Sequence, residues 1–183
     1  MKLLFIGDVV GKSGCDFLAA NIFKIKKEKG IDITVVNGEN SAQGNGMTKQ
    51  SAEFLLANGA DVITTGNHSF KRRESVSIYE ENDVVLRPSN YPEGVIGKGV
   101  TTLDMGRFSV AVINLMGVVY MEPIGNPFDE ADRLLKEIDT PNIFVDFHAE
   151  ATAEKKCMGQ YLKGRVTAVM GTHTHVQTAD ETI

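Results

Sequence analysis

The stretch that decides the fold covers residues 2–40 and reads KLLFIGDVVGKSGCDFLAANIFKIKKEKGIDITVVNGEN. Its apolar run at 2–8 is typical of a short buried strand, and a second run, rich in Val and Ile, covers 33–38. An amphipathic segment at 13–29 lies between them and stops at Gly30. This order of strand, helix and strand predicts a βαβ unit and therefore an α/β fold.

The same alternation continues along the rest of the chain. Further strands are predicted at 61–65, 108–114, 142–147 and 166–170. Further helices are predicted at 48–59, 71–82, 129–138 and 152–163. Residues 88–107 are rich in Pro and Gly, and Asp104 with Gly106 predicts a turn between two strands. This portion is therefore expected to form a hairpin outside the parallel scheme.

Two helices can be described in more detail. In the first, Ser13 and Asp16 resemble a capping box. Its buried face is expected to contain Phe17, Leu18, Ile22 and Ile25. The second is expected to begin near Thr48 and end at Gly59. Its inward residues are predicted to be Ala52, Leu55 and Leu56.

Composition limits the class of protein. The 183 residues are 42% hydrophobic and 23% charged, which predicts one globular domain over residues 1–183. The net charge of -5 argues against wrapping duplex nucleic acid. Cys15 and Cys157 match no disulfide or zinc-ribbon spacing. The first apolar run is too short for a signal peptide or a membrane span, so a cytoplasmic protein without membrane contact is expected.

Potential metal ligands collect where predicted strands end. The clusters are Asp8, Glu39 with Asn40, Asn67 with His68, His148, and His173 with His175. Because ligands bind at the carboxyl ends of strands in open α/β sheets, these distant residues are expected to converge on one edge. Each residue alone could be a helix cap, a turn residue or a buried histidine. Their joint occurrence favours a metal site.

The mixture of donors indicates which metals would bind. Carboxylate, amide and imidazole ligands suit Mn²⁺, Fe²⁺ or Zn²⁺ better than Mg²⁺ or Ca²⁺, and iron or manganese is expected first. A glutamate can bridge two ions that activate water for attack at phosphorus. Glu39 is the predicted bridge, so the sequence predicts a phosphoesterase with two metal ions.

Five segments of the chain resemble the motif series of the calcineurin-like metallophosphoesterases. They are GDVVG at 7–11, NGEN at 37–40, GNH at 66–68, DFHAE at 146–150 and GTHTH at 171–175. Glu39 with Asn40, and a first motif without histidine, resemble the bacterial YmdB-like branch. The resemblance covers nearly the whole chain and implies an α/β/β/α sandwich.

The resemblance also implies roles for the site residues. One metal would be held by Asp8, Glu39, Asn40 and His175, and the other by Glu39, Asn67, His148 and His173. His68 would stay unligated and act as the general acid while a metal-bound hydroxide attacks phosphorus. The implied substrates are small phosphodiesters, with 2′,3′- and 3′,5′-cyclic nucleotides first, and the implied assembly is a homo-oligomer.

Two features depart from the family pattern. Lys71 stands where the family commonly has an acidic residue shortly after His68, and a cation there would lower the pKa of a nearby acid. The chain also stops eight residues after His175, so the C-terminal strands of the sandwich are expected to be lacking. These departures make a metal-stabilised, nucleotide-binding regulatory protein with weak or no turnover the main alternative.

A P-loop NTPase is a further alternative. Gly7, Gly11, Lys12 and Ser13 follow the first strand and precede a helix, as in a P-loop. The P-loop pattern has four residues between its glycines, and this segment has three. The interpretation of Lys12 and Ser13 as a helix start is therefore favoured.

Overall fold

Two β-sheets pack against each other, and helices cover both outer faces. The computed structural model describes residues 1–183. The elements in chain order are β1 (Leu3–Ile6), α1 (Gly11–Lys29), β2 (Ile33–Asn37), α2 (Lys49–Ala57), β3 (Val62–Thr64), α3 (Ser75–Glu81), β4 (Val100–Asp104), β5 (Ser109–Met116), α4 (Pro127–Glu137), β6 (Ile143–His148), α5 (Thr152–Tyr161) and β7 (Ala168–Thr172). None of the helices combines the length and the apolar character that crossing a membrane requires.

The parallel strands of each sheet have their carboxyl ends on the same side. The first sheet has the order β1-β2-β3 with all strands parallel. The second has the order β4-β5-β6-β7, in which β5, β6 and β7 are parallel. Six parallel strands therefore present their carboxyl ends at two sheet edges, and these edges form the site described below.

Three apolar layers hold the sandwich together. Buried side chains from both sheets meet in the central layer, including Val35 of β2 and Val112 of β5. A second layer packs α1, α2 and α3 on the first sheet, with Ile22 and Leu55 among its buried residues. The third packs α4 and α5 on the second sheet. The predicted α/β/β/α sandwich is confirmed.

The predicted hairpin is also confirmed. Strand β4 pairs antiparallel with β5, so that Asp104 lies opposite Ser109. Asp104 Oδ1 accepts a hydrogen bond from the Gly106 N–H at 2.7 Å, and Gly106 adopts a φ of 77°. A glycine tolerates this left-handed conformation without a steric penalty, which explains the turn at this point.

Helix α1 differs from its prediction at its start and on its surface. It begins at Gly11, and its cap, Val10, accepts no side-chain hydrogen bond, so the predicted capping box is wrong. Asp16 instead pairs with Lys12 across one turn at 2.5 Å. Phe17 is 72% exposed, because Leu18 and Ile22 already occupy the buried face and Phe17 is rotated about 100° from Leu18.

The other helices follow their predictions with shifted ends. Thr48 caps α2 and accepts the Ser51 N–H at 3.1 Å, and Leu56 is only partly buried. Helix α3 is shorter than predicted, since the Ser75 hydroxyl bonds the carbonyl of Arg72 and the segment before it forms turns. Helix α4 begins two residues early, at Pro127, where a proline suits the first helical position.

Candidate metal centre

Five strand ends bring the predicted ligands together. The clusters follow β1, β2, β3 and β7, and His148 is the last residue of β6. The ligands were expected on the edge of one sheet, but they lie where an edge of the first sheet meets an edge of the second. Glu39 of the first sheet and His148 of the second are both fully buried there, with the Glu39 Oε1 and His148 Nε2 atoms 3.3 Å apart.

One group of ligands surrounds the side chain of Asp8. Its Oδ1 atom lies 3.2 Å from Nε2 of His175, and this nitrogen lies 3.4 Å from Nδ2 of Asn40. The Asn40 amide in turn donates to Oε1 of Glu39 at 3.1 Å. Asp8, Glu39, Asn40 and His175 therefore form one continuous set of polar groups.

A second group surrounds Nε2 of His148. This nitrogen lies 3.0 Å from Oδ1 of Asn67, 3.1 Å from Nδ1 of His173 and 3.3 Å from Oε1 of Glu39. Donor atoms of Glu39, His148 and His173 all lie within 4.8 Å of one another. Only Glu39 belongs to both groups, as a bridging ligand must.

The geometry of these groups fits divalent ions. Oδ1 of Asp8 is buried and has no hydrogen-bond partner, which is costly for a carboxylate oxygen unless a cation satisfies it. Two donors about 2.1 Å from one ion at a right angle are about 3.0 Å apart, close to the separations seen here. The residues present therefore fit a divalent metal in each group.

Glu39 and His148 each favour the charged form of the other. Burial raises the pKa of Glu39, but hydrogen bonds to His148 and His68 outweigh it and hold the pKa of this carboxyl below its ordinary value. Burial lowers the pKa of His148, yet bonding to Glu39 and the charges of Glu39 and Asp146 raise it above the ordinary value. Protonation of His148 therefore competes with metal binding, so metal binding weakens toward acid pH.

A buried relay fixes the orientation and tautomer of His148. The Thr172 hydroxyl donates its proton to Oδ1 of Asp146 at 2.7 Å, and its oxygen lies 2.9 Å from Nδ1 of His148. Because the hydroxyl proton is already used, Thr172 must accept from Nδ1. The Nε2 lone pair of His148 is thereby left free for an ion.

Asp146 anchors this relay to the first sheet. Its Oδ2 atom accepts hydrogen bonds from Asn37 Nδ2 at 3.0 Å and from Thr64 Oγ1 at 2.5 Å. Burial raises the pKa of Asp146 to about 6. Asn37 and Thr64 both end strands of the first sheet, so one carboxyl joins the two sheets directly beneath the metal centre.

We expect Asp146→Asn to lower the free energy of unfolding by about 2 kcal/mol. The new amide N–H₂ would face the N–H and O–H groups that now donate to the carboxylate, and one of these donors would lose its acceptor. Urea denaturation in the presence of a chelator measures this effect without metal linkage. Asp132→Asn is the matched control, since Asp132 is likewise an aspartate that accepts hydrogen bonds from other side chains, two of them, but lies on the surface. A smaller loss for Asp146→Asn than for Asp132→Asn would contradict the anchoring role.

Gly66 leaves room for the His148 ring. A Cβ atom at Gly66 would overlap three atoms of that ring, which Thr172 and Asn67 hold in place. We expect Gly66→Ala to lower metal stoichiometry and to destabilise the fold by about 1–3 kcal/mol. Gly7→Ala is the control, because a Cβ at Gly7 meets nothing within 4 Å. Full metal content in Gly66→Ala, measured by plasma mass spectrometry, would show that the ring can move freely.

His68 lies beside both groups. Its Nδ1 atom is 2.8 Å from Oδ1 of Asn40 and 3.3 Å from Oε1 of Glu39. Its backbone N–H donates to Oε2 of Glu39 at 3.1 Å. These acceptors favour a proton on Nδ1. Lys71, which follows shortly after, is exposed, and its N–H bonds the His68 carbonyl.

The P-loop alternative does not fit the structure. Gly11 begins α1 and its N–H donates to the carbonyl of Asn40 at 2.8 Å. The Lys12 side chain is 83% exposed and pairs with Asp16. Lys12 therefore does not approach a phosphate cradle.

Several residues of the site were not predicted. Asp146 and Thr172 form the relay, and Glu150 Oε2 lies 3.0 Å from Nε2 of His173, which favours Nδ1 of that ring as the ligand atom. A signal for Asp146 was available. Alternate residues of a strand share a face, so a carboxylate two positions before His148 in a buried strand must point the same way.

Comparison with known proteins identifies relatives. A sequence model of YmdB-like proteins matches residues 4–183. The chain is 46% identical over 185 aligned residues to a Bacillus subtilis protein named 2′,3′-cyclic-nucleotide 2′-phosphodiesterase, and covers 70% of its length. It is 34% identical to a Mycoplasma genitalium protein named a putative phosphatase/phosphodiesterase, and covers 66% of its length.

Solved structures agree with the fold. A hypothetical protein from Thermus thermophilus superposes with a TM-score of 0.94 at 40% identity, over 100% of this chain and 71% of that one. A putative 5′-nucleotidase from Staphylococcus aureus superposes with a TM-score of 0.67 at 19% identity, over 90% of this chain and 41% of that one, and is similar in fold alone. The expected phosphodiesterase class agrees with the names of the curated relatives.

Proposed function

Because the chain belongs to the family of YmdB-like proteins, we propose that it is a phosphodiesterase with two metal ions that hydrolyses cyclic nucleotides of the 2′,3′ or 3′,5′ type. The observation that supports this most is the buried Oδ1 of Asp8, which has no hydrogen-bond partner and lies in a cluster of seven ligand-type side chains. The name of the Bacillus relative favours the 2′,3′ type.

The proposed ligands divide as the two polar groups divide. Asp8, Glu39, Asn40 and His175 would hold one ion, and Glu39, Asn67, His148 and His173 the other. Iron or manganese suits this mixture of oxygen and nitrogen donors, and zinc is the next choice. When bound, the ions would lower the pKa of a water and withdraw charge from the phosphoryl oxygens.

His68 is the proposed general acid. Glu39 and Asn40 accept at its Nδ1, so Nε2 is the atom available to a substrate. In the proposed reaction an oxygen from water joins phosphorus and the P–O2′ bond of a 2′,3′-cyclic nucleotide breaks. The departing O2′ takes a proton from Nε2 of His68, which must carry protons on both ring nitrogens before the step, and a nucleoside 3′-phosphate forms. The proton that the attacking water loses restores the proton on Nε2.

The test uses the purified chain loaded with Mn²⁺, with 2′,3′-cyclic AMP, 3′,5′-cyclic AMP and bis(4-nitrophenyl) phosphate as substrates. We expect two ions per chain and turnover of 2′,3′-cyclic AMP that a chelator abolishes. Two bound ions with nucleotide binding but no turnover of any substrate would overturn the proposal. Such a result would favour the nucleotide-binding regulatory function instead.

A further inference from the structure

The loop of residues 117–125, between β5 and α4, reaches the edge of the metal centre. Tyr120 lies at its tip with 89% of the residue exposed. Its φ is 63°, a conformation that residues other than glycine adopt rarely and at a cost. A large, exposed aromatic ring held in this way needs an explanation beyond packing, because it packs against little.

The protein fixes this loop from both sides. The buried carboxylate of Glu154 accepts the N–H groups of Val118 at 3.0 Å and Val119 at 3.3 Å. The side chain of Asn90 donates to the carbonyls of Met116 at 2.7 Å and Gly125 at 2.8 Å. Tyr120 is therefore presented to solvent from a firmly held backbone.

Tyr120 lines a cleft that includes two of the proposed metal ligands. The cleft has a volume of about 410 Å³ and is lined by Asn67, Tyr120, Met121, Glu122 and His173. A volume of this order falls within the usual range for small-molecule sites. The Met121 sulfur accepts the Glu150 N–H at 3.2 Å, so its thioether is also held in place.

The two sides of the cleft differ in chemistry. Asn67 and His173 belong to the metal centre, where a phosphate would lie. Tyr120 and Met121 offer an aromatic face and a polarisable thioether, which suit a flat ring. The carboxylate of Glu122 repels a phosphate but can accept from an amino group on a base.

We propose that Tyr120 is the nucleobase platform of this site, on which the base of a nucleotide stacks while its phosphate lies at the metal centre. This inference rests on the proposed function. Stacking on an aromatic side chain is tolerant of base identity, so the platform would select nucleotides over other phosphodiesters without selecting one base.

The test compares Tyr120→Ala with Tyr120→Phe on two substrates, 2′,3′-cyclic AMP and ribose 2′,3′-cyclic phosphate, which lacks a base. We expect Tyr120→Ala to raise KM for 2′,3′-cyclic AMP about tenfold, which corresponds to about 1.4 kcal/mol, with little change in kcat. Tyr120→Phe should stay within about twofold of the wild type, because the ring remains. Neither variant should change KM for the substrate without a base.

Two further measurements make the result decisive. Phe17→Ala is the matched control, since it also removes an exposed aromatic ring, and it should change nothing. Calorimetric titration of the Mn²⁺-loaded chain with adenosine 3′-phosphate reports base binding without turnover. Tyr120→Ala should raise the Kd for this nucleotide about tenfold.

The outcomes separate this inference from the proposed function. If the wild type hydrolyses both substrates and Tyr120→Ala affects them equally or not at all, the platform is overturned and the phosphodiesterase stands. If the wild type hydrolyses neither of these substrates, and neither 3′,5′-cyclic AMP nor bis(4-nitrophenyl) phosphate, the proposed function fails. Calorimetry then decides the role of Tyr120: weaker binding of adenosine 3′-phosphate supports the platform, and unchanged binding overturns it.

Discussion

Glu39→Gln is expected to lower kcat/KM on 2′,3′-cyclic AMP by on the order of 10³-fold or more and to reduce the bound Mn²⁺ from two ions per chain to one or none. Among the seven proposed ligands only Asp8 and Glu39 are carboxylates, and two divalent ions bring four positive charges. Removing the charge of Glu39 leaves a single carboxylate to balance them. The effect should reach both ions, because Glu39 is the one proposed ligand that belongs to both groups.

The substitution tests charge and ligation with little change in packing. Glutamine has nearly the shape of glutamate, and Glu39 is completely buried. In the chelated protein the substitution removes one partner of a buried pair and leaves His148 without the carboxylate, which destabilises the fold. We therefore expect a lower unfolding midpoint for the chelated variant, and rates are compared at a temperature at which both proteins are folded, so that lost activity cannot be attributed to unfolding.

Glu130→Gln is the matched control. Glu130 is a partly buried carboxylate that accepts from Ser89 and Arg133, away from the metal centre. We expect this variant to retain two ions and nearly full activity. Two ions in Glu39→Gln, together with activity within tenfold of the wild type, would exclude Glu39 as the bridge. Metal content and initial rates at several Mn²⁺ concentrations provide both measurements.

The convergence of the site could be predicted from sequence because it follows from a general property of parallel strands. Asp8, Glu39, Asn67 and His173 each follow an apolar run, and the carboxyl ends of parallel strands meet. The division between two sheets was implied by the family resemblance but not by the strand pattern, since each sheet alone satisfies the same pattern. Pairing of strands far apart in the chain decides which ends face each other.

Side-chain contacts between neighbouring strands were harder to predict than the position of a residue within its own strand. The relay from Asp146 through Thr172 to His148 depends on the register in which His148 lies opposite Thr172. Hydrophobic pattern alone does not give that register. The exposure of Phe17 has a similar origin: an apolar residue next to a helix's buried face is covered only if another element lies beside it.

Tyr120 shows a different limit. It is one aromatic residue in a loop, and no periodic pattern distinguishes it from a core residue. Its positive φ and its place beside Asn67 and His173 appear only once the loop is folded onto Glu154 and Asn90. The proposed metal ligands could be predicted because several of them share one chemistry, whereas a specificity residue acts alone.

His68→Ala is expected to lower kcat on 2′,3′-cyclic AMP by about 10²–10⁴-fold while both metal ions remain bound. The departing O2′ is a strongly basic alkoxide, so its release depends on a proton from Nε2 of His68. On bis(4-nitrophenyl) phosphate the departing 4-nitrophenolate is a weak base and needs little protonation. The same variant should therefore lose about tenfold or less on the aryl diester, and this difference between substrates identifies an acid.

His173→Ala provides the comparison within the same site. His173 shares contacts with His148 and belongs to the second proposed ligand group, so its loss should lower metal content and affect both substrates equally. If His68→Ala also slowed both substrates equally while keeping its metal, His68 would orient Asn40 and Glu39 rather than donate a proton. Loss of metal in His68→Ala would instead make it a ligand. Only the selective loss on the cyclic nucleotide fits a general acid, because protonation of the leaving group is the one step in which the two substrates differ most.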